Sequence, residues 1–273
     1  MLRLSASTTV SAIDTRPLLA VVPALIRRWR ALPFDQGCVD DRGRRREGLC
    51  VEFGAHPRPG TGYRLIMTGD EPAGRFTTTL VELLADDPRR FHVRLRLLDG
   101  GEVVNVELEH PDRPISVLVD VTAPFAGNWL TRGPLSVRAK LDLAALPPAR
   151  PRAPQLTVQV SHPRARGSAD GLVAATGGGR WKVDVKLRAG GRGVLRPLVA
   201  VTVPFIRRIV ARELGSALER LARSVEELDR ELRASFDPED PQRVAEAVLR
   251  DLLDGVPEHL PDASRTGLAS SDG

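Results

Sequence analysis

From about Leu49 to Leu187 apolar and polar residues alternate with period two, and no other feature restricts the fold so tightly. Phe91, Val93, Leu95 and Leu97 oppose His92, Arg94 and Arg96. Val104, Val106 and Leu108 oppose Asn105, Glu107 and Glu109. The same alternation marks Leu49–Phe53, Tyr63–Met67, Phe76–Leu80, Ile115–Val121, Leu135–Leu143, Leu156–Val160 and Trp181–Leu187. In an extended chain successive side chains point to opposite faces, so these runs predict eight or nine strands with one apolar face each. One-sided alternation implies antiparallel pairing, because parallel strands are usually apolar on both faces. Turn residues such as "LDGGE" and "HPDRP" separate the runs. A four-residue turn Asp99–Glu102 would pair Leu98 with Val103, Arg94 with Glu107 and His92 with Glu109.

Helical signals lie on both sides of the strands. Before them, Leu18, Leu19, Val21, Val22, Leu25, Ile26 and Trp29 form a helical stripe, with Pro23 inside it predicting a kink. Arg27, Arg28 and Arg30 suit its C-terminus, and "DDRGRRREG" after it reads as a solvated loop. After the strands, a stripe from Ile206 through Val210, Leu214, Leu218, Leu221 and Val225 to Leu232 predicts one long helix opened by Pro204. About 30 residues of helix would span roughly 45 Å. A short amphipathic helix follows Pro238 and Pro241, with Val244, Ala247, Val248 and Leu252 inward. The expected organisation is one domain over 1–235, an accessory helix over 236–256 and a disordered tail over 257–273.

Composition narrows the function classes. Of 273 residues, 42% are apolar, and no apolar run approaches the ~20 residues of a membrane span. With no export signal at the start of the sequence, a cytoplasmic chain is expected. Cys38 and Cys50 are then ordinary thiols, and no spacing of His or Cys suggests a metal. No cofactor is expected, since the glycine-rich "TGGGRW" and "AGGRG" lack the lysine of a phosphate loop. Residues 147–212 hold 13 basic and two acidic groups, while 213–273 hold seven and 15. Such asymmetry can mark a surface for anionic partners. Nucleic acid is not the expected one: a single Tyr and inward Phe residues leave few stacking platforms, and the arginine richness fits a GC-rich, bacterial genome.

The segment "WKVDVKLRAGGRGVLRPL" leads from the last strand into "PFIRRIVARELGSALERLARSVEEL". A strand meander closed by such a strand and long helix resembles the START-like helix-grip families, the SRPBCC superfamily. The resemblance implies an α+β fold: a curved antiparallel sheet with the long C-terminal helix on its concave face, closing a hydrophobic pocket. A hydrophobic small molecule or lipid is the expected ligand, lined by Trp129, Trp181, Val183, Val185, Phe205 and Ile209. Arg192, Arg196, Arg207 and Arg208 would meet an anionic head group or membrane surface. Two alternatives stand beside it. A cyclase or aromatase on the same fold needs an inward ionisable group, and His92 and Asp184 are predicted outward. A protein-interaction module would use the stripe from Val210 to Leu232 to pair with a partner.

Overall fold

The structure is a computed structural model. It describes residues 2–12, 15–41, 43–68, 76–125, 132–146, 153–192, 211–220, 222–224, 226–227, 230 and 240–258. Its strands form one antiparallel sheet of 13 strands. The first is β1 (Leu2–Ser11); helix α1 (Thr15–Arg30) follows. Then come β2 (Phe34–Asp35), β3 (Cys38–Asp41), β4 (Arg44–Phe53), β5 (Thr61–Thr68), β6 (Phe76–Asp86) and β7 (Arg90–Leu97). The remaining strands are β8 (Glu102–Glu109), β9 (Ser116–Phe125), β10 (Gly133–Asp142), β11 (Leu156–His162), β12 (Ala165–Gly177) and β13 (Arg180–Gly191). Consecutive strands from β2 to β13 are neighbours, and β1 closes the order beyond β13. We call the helical stretch 211–220 α2, and the helix Pro241–Asp254 α3.

Thirteen strands replace the predicted eight or nine, for local reasons. Strand β12 carries Gly167, Ala169, Gly171, Val173 and Ala175 on its apolar side, too little hydrophobic contrast to register as alternation. Strand β1 alternates Leu2, Leu4, Ala6, Thr8 and Val10 with Arg3 and Ser or Thr, a weak pattern that pairing with β13 completes. The stretch read as a loop is largely the β3–β4 hairpin, where Asp40 faces Arg45 and Asp41 faces Arg44.

Three further expectations are corrected. The β7–β8 turn comprises residues 98–101, so Arg94 faces Asn105 and His92 faces Glu107. Gly101 at φ +67° takes the last loop position. The slip of two residues keeps every side chain on its expected face. In β6 the apolar face is Thr79, Val81 and Leu83, leaving Phe76, Thr78 and Leu80 on the other. Helix α1 runs unbroken through Pro23, which is buried.

Helices α1 and α3 lie side by side over the β3–β7 part of the apolar face. Asp240 caps α3, accepting a 3.0 Å hydrogen bond from the Arg243 backbone N–H. Its buried stripe is Ala245, Leu249 and Leu253, while Val248 and Leu252 are exposed, correcting the predicted inward set. Two apolar columns run along this helix, and contact with Val39, Leu49 and Tyr63 selects one. The chain beyond α3 is tied to β4. Pro257 and Glu258 carbonyls accept from Gly48 and Glu47, and the nearly buried Arg46 guanidinium lies 3.5 Å from carboxylates of Asp41, Asp254 and Glu258. A Cβ on Gly48 would come within 2.6 Å of Val256 Cγ1, so this close approach requires glycine. Residues 259–273 of the expected tail lie outside the described residues.

Cys38 and Cys50 face one another across β3 and β4 and are joined in a disulfide. This corrects the reading of two ordinary thiols. Such bonds persist in oxidising surroundings, which pulls against a cytoplasmic address. No helix among the described residues is long and apolar enough to cross a membrane.

Candidate functional site

The pairing registers place the apolar residues of successive strands in rows across one face. One row reads Val93, Val106, Val119, Ala139, Val158, Ala169, Leu187 and Leu4 from β7 to β1. The helices cover this face unevenly. Over β3–β7, α1 and α3 bury Val39, Leu49, Tyr63 and Leu83 to 1% exposure or less. At the other side Val10, Trp181 and Val183 are buried together, with Val173, Val185 and Ala222 packed on them. Leu218 of α2 is also buried. Between these covers, Val106, Val119, Val137, Val158 and Val160 remain half-buried. Gly167 and Ala169 keep the floor of this stretch low. We call this partly covered apolar strip, about five strands wide from β8 to β12, the trough.

Three predicted lining residues, Trp181, Val183 and Val185, come together on the apolar side of β13, Trp181 and Val183 opposite Ala175 and Val173, beyond the start of β11. Trp181 and Val183 are packed into a small core there, each 9% exposed. Trp129, Phe205 and Ile209 lie outside the described residues, as do Arg196, Arg207 and Arg208. Arg192 is exposed just beyond the end of β13. Of the predicted helix over 204–232, the helical residues described begin at 211.

The opposite face is polar. His92 stands there opposite Glu107, and Asp184 pairs with Lys182 at 3.0 Å. Arg94 bridges Glu82 at 3.2 Å and Asn105 at 3.1 Å. An open groove of about 470 Å³ lies over Leu118, rimmed by Arg90, Glu107, Glu109 and Lys140. Ser116 donates to Glu109 at 2.9 Å. Mixed charges around an open groove offer no set of polar groups aimed at one reacting atom.

Sequence reasoning missed a polar knot on the apolar side. Tyr63 is fully buried, and its hydroxyl lies 2.8 Å from His56 Nδ1. His56 Nε2 donates to the Arg30 carbonyl at 3.3 Å, so Nδ1 is the acceptor and Tyr63 the donor. Trp29 and Phe34 seal both rings. Burial pushes the Tyr63 hydroxyl up to about 12 and holds the His56 imidazole below its ordinary value. Both are neutral near pH 7 and engaged with one another. Beside them, a bulge at Leu83/Ala85 turns Asp86 onto the apolar face opposite Phe91, where Arg30 grips it through both carboxylate oxygens. The only tyrosine and a His-Pro pair were the available signals, but nothing in their spacing joins them.

A pH dependence follows with a definite sign. His56 has a folded pKa below 6.5, so the unfolded chain binds more protons between the two values. The knot's contribution is complete above 6.5 and falls as pH drops through that window. Urea midpoints across mildly acid pH should therefore decline less for H56Q than for the parent chain. Equal slopes would show that His56 is not held neutral.

No family model matches the chain, and no curated protein does. Among solved structures it is similar to Ara h 8.0201, with 11% identity over 84% of this chain and 98% of that one, at a TM-score of 0.18. It is similar to the di-domain ARO/CYC StfQ from the steffimycin biosynthetic pathway, with 10% identity over 82% and 98% of the two chains, at a TM-score of 0.24. A putative uncharacterized protein from Rhizobium leguminosarum shares 13% identity over 83% and 99%, at a TM-score of 0.16. Scores this low carry no argument about fold or function.

Proposed function

We propose that this protein binds a hydrophobic small molecule or lipid in the trough on the apolar face of its sheet, with the C-terminal helical segment as the cover, in a helix-grip manner. The observation that carries the reading is the half-buried valine field on β8–β11, beside the small residues of β12 and between two clusters that contain buried residues. An apolar surface of this kind gains by covering itself, at about 25 cal/mol per Å² removed from water. Apolar concavities with few polar groups are the usual setting of small-molecule sites. Trp181, Val183 and Val185 would form one wall, and Trp129, Phe205 and Ile209 are proposed to complete it.

The cyclase or aromatase alternative needs an ionisable group free to face the ligand. Among the described residues with shifted pKa values, His56 and Tyr63 satisfy one another, and Arg30 is committed to Asp86. Binding without catalysis is therefore the better-supported reading.

Native mass spectrometry of gently purified protein should show a co-purifying apolar adduct, and an environment-sensitive fatty-acid probe should bind. A169W, which raises the floor in the middle of β12, should weaken the probe at least about tenfold, a loss of ~1.4 kcal/mol. Protein free of adducts that also ignores the probe, or an A169W variant that binds it normally, would dismiss the trough as a ligand site.

A further inference from the structure

At one end of the sheet β1, β6, β8, β10 and β12 begin, and β7, β9, β11 and β13 finish. Besides the exposed Asp99 and Glu102 at the β7–β8 turn, two kinds of exposed side chain meet there. The first is apolar: Phe76 is 37% exposed, Leu98 51% and Phe125 49%. They share one rim. The Leu98 backbone N–H donates to Thr78 at the start of β6, and Pro124 packs 3.7 Å from the Cβ position of Gly101. The second kind is basic: Arg3, Arg132, Arg166, Arg188 and Arg192 are all exposed. Arg3 stands directly opposite Arg188, and Arg192 is tied by its backbone to Arg164 on the adjoining turn. Among the described residues none of these five arginines has a carboxylate partner. Like charges opposite one another weaken a sheet, so nothing within the described fold rewards this arrangement.

The geometry points to this end as a docking surface for an anionic phospholipid bilayer. Phe76, Leu98 and Phe125 would enter the interface, and the arginines would lie against lipid phosphates. Interfacial binding combines buried apolar area with attraction to anionic lipid, and both components are present side by side. A nucleic acid would need aromatic faces within the basic surface; here the Phe side chains sit beside it, at the rim. The inference does not depend on the trough holding a ligand, though a trough protein docked this way would have a source of lipid at hand.

The test uses the full chain with sucrose-loaded vesicles of phosphatidylcholine alone or mixed with phosphatidylglycerol. Sedimentation with the mixed vesicles only is expected. R166S/R188S should reduce that binding about 25-fold, at roughly fivefold per basic group. L98W should be quenched by lipids brominated in their acyl chains, whereas I115W, at the opposite end, should not. Fatty-acid probe binding should be unchanged in R166S/R188S, which separates failure of docking from failure of the trough. Equal binding to neutral vesicles, an unaffected R166S/R188S variant or an unquenched L98W would overturn the proposal. So would duplex DNA that binds with the same arginine dependence while L98D leaves vesicle binding intact.

Discussion

Replacing Arg30 by Met should destabilise the protein by about 3–5 kcal/mol, the cost of leaving a buried carboxylate without its cation. Asp86 is only 8% exposed at its side chain, and Arg30 holds both of its oxygens. The carboxylate is there because the β6 bulge advances the strand by one residue and turns an aspartate onto the apolar face. Without Arg30 the carboxylate loses the cation that meets both of its oxygens. The double variant R30M/D86L should regain most of the loss, since an apolar pair of similar volume often replaces a buried ion pair at no cost. Denaturant unfolding of the three chains decides it. A loss below about 1 kcal/mol in R30M would put this pair with exposed ion pairs, against its burial.

Removing the Cys38–Cys50 disulfide should cost about 3 kcal/mol in the loop-entropy account, given a separation of 12 residues. The bond closes the β3–β4 hairpin beside Val39 and Leu49, which are almost fully buried. Loosening it should therefore also loosen the seat of α3, whose Leu249 and Leu253 pack on the same cluster. C38S/C50S and the reduced parent chain should unfold at similarly lowered denaturant concentrations. Two thiols should become reactive in denaturant only after reduction. Thiols that react without reduction would restore the original reading and remove this term.

Much of the sheet could be read directly. The phase of β7, β8 and β10 survives in the structure because each has strong residues on one side and mostly polar or charged ones on the other, and β9 keeps its phase through Val117, Val119 and Val121. The same reasoning failed at β12, where glycine and alanine give no contrast, and at β6, where Phe76 and Leu80 set a false phase. It failed on α3 because two apolar columns competed. The polar knot was out of reach for another reason. Its members come from the helix end at Arg30, the turn at His56, strand β5 and the bulge at Asp86, and no local spacing connects them.

Side-chain periodicity determined by itself that this chain builds a one-sided antiparallel sheet with amphipathic helices to cover it, because period two and period 3.6 are local properties of the backbone. Only the tertiary structure decided how many strands pair, which column of α3 is buried, where the apolar face stays half-covered, and that Phe125 and Arg188 share one end of the sheet. Those are consequences of register and packing between segments far apart in the chain, where a shift of one residue reverses a face without changing the sequence pattern.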